Sequence, residues 1–316
     1  FQDLKVMVVG DAIVDQYAYC EPLGKSPKDN IITMRYVSEE NFAGGALVVA
    51  NQVAQFCKEV RLVTCLGKDP DHLDFVKKSL SDNVSPKLFR RDDAPTVTKR
   101  RFVERAFMHK MFEVAHLGQL PLPGDLEASV SHSLDYEAGE YDLVVVADFG
   151  HGFLGPKMIE TLARRARFLA VTAQTNSANM GFNLIHRYPA ANYVCIDENE
   201  LRLAYHDSLS PLATLMERTR VKFPAITVTQ GHHGSLIRIG SSLAHVPVFS
   251  QKAVDRLGAG DAYLSIASLA AAQVCMPEVV GFLGNALGAL KVQRVGNEVV
   301  SRVALLKFVK ALLVRG

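Results

Sequence analysis

The chain lacks any large excess of charge: 35 lysines and arginines stand against 33 aspartates and glutamates, a net charge of +2. No long basic run appears either, so nothing points to nucleic acid or a membrane surface as the main partner. A long apolar run is also missing. The longest, Leu264 to Val274, contains Ser265, Ser268 and Gln273 and is too short to span a bilayer. Cysteine is sparse and scattered. Cys20, Cys57, Cys65, Cys195 and Cys275 are odd in number and form no C-x-x-C pair. That argues against a disulfide framework or a zinc site and predicts reduced thiols in a cytoplasmic protein. The chain opens at Phe1 with no initiator methionine and no signal peptide, which suggests a trimmed segment or a part of a longer polypeptide.

What remains is an ordinary globular composition, 48% hydrophobic and 22% charged over 316 residues, enough to bury a sizeable core. Short apolar runs alternate with helical stretches. "KVMVVG" (5–10), "VRLVTCLG" (60–67), "DLVVVADFG" (142–150), "RFLAVTA" (167–173), "ANYVCID" (191–197) and "AITVTQG" (225–231) read as strands buried on both faces. Helices are expected at 45–57, 71–81, 125–138, 155–166, 197–205 and 209–222, then at 258–274, 277–292 and 300–314. The fold class is therefore α/β, a doubly wound and mostly parallel sheet. Several strands end in Gly or Asp, at the edge where open α/β sheets bind ligands. Two segments break the scheme: "NIITMRYVSE" (30–39) and "TVTKRRFVERAFMHKMFEV" (96–114) read as antiparallel strands of a small inserted sheet. Strand alternation puts Lys99 and Arg101 on one face, either as an anion site or as a solvated edge that resists pairing.

The segment "DRLGAGDAYL" poses a chemical problem. Gly258, Ala259 and Gly260 let a backbone approach a ligand, and the helix they open offers free N–H groups to an anion. Asp261 then places a carboxylate beside that anion. For simple binding this is a defect, though an acid in a first helical turn is favourable on its own. For phosphoryl transfer it is useful, because the acid takes a proton from the attacking hydroxyl, an effect on the order of 10²–10⁴-fold.

Asp255-x-x-Gly258-Ala259-Gly260-Asp261 resembles the C-terminal signature of the ribokinase/PfkB-type carbohydrate kinases, and further landmarks follow in that family's order. "GDAIVD" (10–15) resembles the first strand with its sugar-binding aspartate, Asp15. "AGGALVVANQVA" (43–54) resembles the Gly44–Gly45 turn beneath the sugar. "IDENEL" (196–201) resembles the N-x-x-E element, with Glu200 in the acidic position and Asp197 for asparagine. "TQGHHG" (229–234) resembles the nucleotide loop, through Thr229, Gly231 and Gly234. Asn285 and the turn at Gly296 resemble the adenine pocket and the monovalent-cation loop.

The resemblance implies a single ribokinase-like kinase domain over 1–316, with a β lid formed by strands near 12–19, 30–39 and 96–114. It implies ATP and Mg²⁺ as cofactors and, in many members, K⁺ beside Asp255. Asp261 is then the base, and Gly258, Ala259 and Gly260 form the anion hole. Thr229, Gly231, Gly234 and Asn285 would hold nucleotide, and Glu200 with Asp197 would orient magnesium through water. Asp15, Gly44, Gly45, Lys99, Arg101 and Asp148 would hold a sugar phosphate. "PTVTKRRF" (95–102), "ADFGHG" (147–152) and "KSPKDNI" (25–31) are similar to the D-glycero-D-manno-heptose-7-phosphate kinases, some of which are fused to a nucleotidyltransferase. Homodimers through the lid are a further implication. Departures fall mainly at the sugar end: Val48 where asparagine is expected (Asn51 lies one turn on), Arg256 and Leu257 before the G-A-G-D, His151 for a lysine and Met111 near an arginine position. A kinase for another carbohydrate or a nucleoside, and a non-catalytic binding member, stand as alternatives.

Overall fold

Val6, Met7, Val8 and Val9 are all fully buried. A strand shows successive side chains to opposite faces, so the sheet holding them is covered on both. The computed structural model, which describes residues 1–68, 70–118, 120–250 and 252–315, shows how. β1 (Val6–Gly10) lies between β4 (Val60–Leu66) and β8 (Leu143–Asp148), parallel to both. β5 (Val84–Arg90) extends the sheet beyond β4; β9 (Leu169–Ala173), β10 (Tyr193–Asp197) and β11 (Ala225–Thr229) extend it beyond β8, all in parallel. An antiparallel hairpin, β12 (Ser235–Ile239) and β13 (Ser242–Val246), closes that side. Strand order therefore reverses between β1 and β8, the kind of switch point at which such sheets open a ligand crevice.

The two faces bury different residues of the same strands. Val6, Val8, Leu62 and Val145 pack with α1 (Ala46–Ala54), α7 (Ala259–Ala272) and α8 (Pro277–Lys291). Met7, Val9, Val63 and Val144 pack with α3 (Gly124–Glu137), α4 (Pro156–Arg165), α5 (Glu198–Tyr205) and α6 (Leu212–Arg218). α2 (Pro70–Ser79) and α9 (Arg302–Arg315) complete the chain, and no described helix is long and apolar enough to cross a membrane.

The inserted sheet is present and larger than expected. β2 (Ala12–Lys25) pairs antiparallel with β3 (Ile32–Gly45) and parallel with β6 (Val97–Glu104), which pairs with β7 (His109–His116). The expected strand 96–114 is thus a hairpin. β2 begins just after β1 ends, and β3 runs into Gly45, the residue capping α1. Sequence reading missed β5 and the β12–β13 hairpin. In the latter, buried Arg238 interrupts the apolar pattern, yet its guanidinium donates to the carbonyls of Met216, Phe223, Pro224 and Gly240 and to Thr219 Oγ1.

That network stitches the end of α6 to the strands carrying the Thr229 loop. Arg238→Ala is expected to destabilise the fold by on the order of 3 kcal/mol, because several buried acceptors lose their donor together. Urea unfolding checks it; a loss within error of zero would show that the network contributes nothing.

Candidate active site

α7 begins at the junction of two cavities. Gly258, its capping residue, adopts φ 72°, and no side chain caps the helix. Its first-turn N–H groups have no helical acceptor, and the helix dipole adds partial positive charge there. Of the expected anion hole, the Ala259 N–H turns back to the Arg256 carbonyl at 3.3 Å, while the N–H of Gly260, and that of Asp261 next to it, have no backbone acceptor among the described residues. On one side lies a cavity of about 450 Å³ lined by Thr229, Gly231, Gly234, Asn285, Asp197 and Glu200. On the other lies one of about 220 Å³ lined by Asp15, Gly45, Lys99 and Arg101. Arg256, Ala259, Gly260, Asp261 and Gln174 line both.

Asp261 is the carboxylate at that shared wall. Burial, reinforced by the negative charge of Asp15, pushes its pKa from 3.8 to about 7, against the pull of Lys291 and Lys99. A carboxyl with that pKa can accept a proton near neutrality and hold it.

The larger cavity carries an acidic pair. Asp197 caps α5 by accepting from the Glu200 N–H at 2.8 Å, and Glu200 Oε2 accepts from the Asp197 N–H at 2.8 Å. Glu200 Oε1 takes the Thr175 N–H at 2.9 Å. Burial, and then the neighbouring carboxylate, raise the Glu200 pKa. Neither acid makes an ion pair among the described residues, so the pair has the donor chemistry for a hard divalent cation. No described cluster of three His, Cys, Asp or Glu could cage one alone. Water and phosphate oxygens would complete the shell, the usual habit of Mg²⁺. The nucleotide-side residues also have structural work: Asn285 Nδ2 donates to Ser235 Oγ at 3.0 Å and to the Val246 carbonyl at 2.8 Å. A Cβ at Gly234 would collide with that same carbonyl. The His232 and His233 rings lie 3.8 Å apart and tilted by 44°; of the two, His232 lines the cavity.

At the sugar side the two expected cations behave differently. Arg101 is engaged with Asp15 Oδ1 and with Glu113 at 2.9 Å. Lys99 makes no ion pair among the described residues and faces the cavity. Burial lowers its pKa, partly offset by Asp15 and Glu113. Asp15 Oδ2 also accepts from Asn297 Nδ2 at 2.6 Å, and Gly44 is glycine because a Cβ would strike that oxygen.

Two expected site residues, Asp148 and Asp255, and also Asn51, are engaged by the protein itself. Asp148, expected at the sugar, lines neither cavity: it is buried and accepts from Tyr188 Oη, Arg187, Asn183 and the Gly150 N–H at 2.8–3.1 Å. Asn51 ties α1 to the end of α2 through the Ser79 carbonyl and Ser81 N–H. Asp255, expected beside a monovalent cation, already accepts from Tyr17 Oη at 2.6 Å and Lys110 Nζ at 2.5 Å. Sequence reading also missed Asn297, Gln174 and Asp11. Asp11 accepts the N–H groups of Phe149, His151 and Phe153 and shapes the loop after β8. An acid directly after the first strand's terminal glycine was the available signal.

The model of the pfkB family carbohydrate kinases matches residues 3–301. Among curated relatives, the bifunctional protein HldE of Pseudomonas paraeruginosa is 29% identical over 314 residues, covering 95% of this chain and 62% of that protein. HldE of a Shewanella strain is 27% identical over 320 residues, covering 97% and 64%. The chain thus spans less than two thirds of these relatives. Among solved structures, phosphofructokinase-2 from Escherichia coli in complex with potassium superposes with a TM-score of 0.78 at 16% identity, over 98% of this chain and 99% of that one. Ribokinase from Thermotoga maritima gives 0.71 at 19% identity, over 97% and 99%. The α/β fold is therefore ribokinase-like.

An acid raised in the folded state favours folding while it stays protonated, and that contribution is lost as pH rises from 3.8 through about 7. Thermal melts of the ligand-free chain are expected to show Asp261→Asn gaining stability over the wild type as pH rises from 3.8 to about 7, and a constant gap above that. Parallel curves for the two proteins would mean that the carboxyl is not desolvated.

Proposed function

From the premise that the chain belongs to the pfkB family of carbohydrate kinases, we propose that it transfers the terminal phosphoryl group of ATP to a hydroxyl of a sugar phosphate. The observation that carries this reading is the position of Asp261, among the described residues the one carboxylate on the wall common to both cavities. ATP occupies the larger cavity with its phosphates towards α7, and the acceptor occupies the smaller. Asp261 takes the proton of the attacking hydroxyl. The Gly260 and Asp261 N–H groups, with the exposed Arg256 at the same junction, hold the transferring group as charge builds on it. Asp197 and Glu200 would hold Mg²⁺, which would supply positive charge to offset that of the phosphates. Asp15, fixed by Arg101 and Asn297, accepts from sugar hydroxyls.

Lys99 selects an acceptor that already carries phosphate. Its ammonium is half-buried with no ion pair among the described residues, and a phosphate would supply one. With the likeness to heptose-7-phosphate kinases, heptose 7-phosphate becoming the 1,7-bisphosphate is the acceptor we favour. A nucleotidyltransferase fused outside this segment belongs to the same reading, supported by the part-length match to the bifunctional HldE proteins. An unphosphorylated sugar is the second reading, favoured by the commitment of Arg101 to Asp15 and Glu113. The outer lid face exposes Phe112 and Val114, with Phe102 stacked on Phe112 at 4.5 Å, and supports homodimers through the lid.

A turnover screen of sugar phosphates with ATP tests the reading. Asp261→Asn is expected to keep ATP affinity and lose at least about 10²-fold in kcat. For the wild type, kcat/KM rises with pH to a plateau above about 7. Lys99→Ala should raise KM for phosphorylated acceptors about tenfold and leave free sugars unaffected. Normal turnover in Asp261→Asn ends the mechanism, and an unchanged KM in Lys99→Ala favours the unphosphorylated sugar. Phe112→Asp should shift sedimentation from dimer to monomer; a wild type that sediments as a monomer refutes the lid dimer.

A further inference from the structure

The family resemblance predicts a monovalent cation beside Asp255, and potassium accompanies one structurally similar phosphofructokinase-2. The residues of this chain do not fit one. Both oxygens of the Asp255 carboxylate are already filled. Oδ1 accepts from Lys110 Nζ at 2.5 Å and from the Leu257 N–H at 3.0 Å. Oδ2 accepts from Tyr17 Oη at 2.6 Å and from the Gly296 N–H at 3.0 Å. Burial pushes the carboxyl up, but Lys110 and Tyr17 overcome it and hold the pKa down at about 2. Its negative charge is thus met by an ammonium of the protein itself.

The carbonyl side of the same turn is filled as well. Lys291, in the last turn of α8, is 1% exposed, and its Nζ donates to the Gly296 carbonyl at 2.5 Å. Its stem runs beneath the opening of α7: a Cβ at Gly258 would lie 3.2 Å from Lys291 Cε. Among the described residues no carboxylate pairs with this ammonium, yet Asp255, Asp261 and Glu298 attract it, while Arg294 opposes them. Burial lowers its pKa, and the three acids counter that. A buried ammonium with one hydrogen-bond partner is expensive, and methionine would fill the same space without the cost. Positive charge at this point therefore needs a reason.

We propose that Lys291, with Lys110 on the other side of Asp255, is a covalently attached replacement for the monovalent cation. Its ammonium supplies positive charge beneath the Gly258–Asp261 turn, and the protein works without potassium. The inference rests on reading that turn as the phosphoryl-transfer site. Lys291 touches neither cavity and is a positioning residue, acting through the backbone that α7 presents.

The test compares the full chain in potassium chloride and in tetramethylammonium chloride, whose cation is too large for the turn, at equal ionic strength. Melting temperature and calorimetric ATP–Mg²⁺ affinity are read for the wild type, Lys291→Met and Lys291→Gln. The wild type is expected to give the same melting temperature and affinity in both salts. Both variants should lose about tenfold in ATP affinity in tetramethylammonium and recover most of it in potassium, with a matching rise in melting temperature. Lys291→Gln keeps a donor for the Gly296 carbonyl, so its failure alongside Lys291→Met assigns the effect to charge. A potassium-specific gain in the wild type overturns the proposal, as does wild-type affinity for either variant in tetramethylammonium. Variants that do not fold leave the wild-type comparison to decide. Failure of the kinase reading shows separately, as ATP binding without phosphorylation of any sugar, and does not enter the salt comparison.

Discussion

The site depends on two hydrogen bonds that cross from lid to body. Asn297 donates to Asp15 and Tyr17 donates to Asp255, each at 2.6 Å, joining residues 282 and 238 positions apart. Tyr17 and Asp15 project from the same face of β2, two residues apart, so one strand places both. The turn at 292–297 receives them: its Gly296 N–H holds Asp255 and its Asn297 side chain holds Asp15. Without that turn the Asp15 carboxylate would keep, among the described residues, only Arg101 to orient it.

Charge balance follows from the same crossing. Asp15 and Asp261 repel, and the repulsion helps keep Asp261 protonatable near neutrality. Asp15 is in turn held by Arg101, which Glu113 holds from the far side. The cations are therefore distributed by task. Arg101 holds Asp15, Lys110 holds Asp255, and Lys99 and Arg256 line the cavities with no ion pair among the described residues. A phosphoryl-transfer site needs positive charge that is fixed in place yet not already neutralised, and this arrangement provides it.

How much of this was legible in the sequence depends on range. Doubly buried strands such as Val6–Gly10 and Leu143–Asp148 announce themselves because every position must be apolar. The G-A-G-D turn is legible because its chemistry is local: small residues, a helix start and an acid lie within four positions. β5 was illegible, since an edge strand with Pro86 and Lys87 needs no apolar run. Asn297, Lys110 and Lys291 are equally unreadable. Each owes its role to a partner that only folding brings near, and nothing around it in the chain marks it. Arg101 shows the opposite failure: its spacing with Lys99 was read correctly as one strand face, but the sequence cannot say that Asp15 and Glu113 occupy it.

The β2–β3 half of the lid has no linker. β2 leaves the body one residue after β1, runs for 14 residues, and the chain returns through β3 directly into the cap of α1. Fully extended, that is a beam roughly 45 Å long, clamped at the body end where Asp15, Gly44 and Gly45 lie. A hinged flap would absorb a push at its tip in the hinge. A clamped beam instead delivers the bending moment to its root. Load borne by the outer lid, whether from a second copy or from solvent, is therefore felt first as strain at the residues that would touch the sugar.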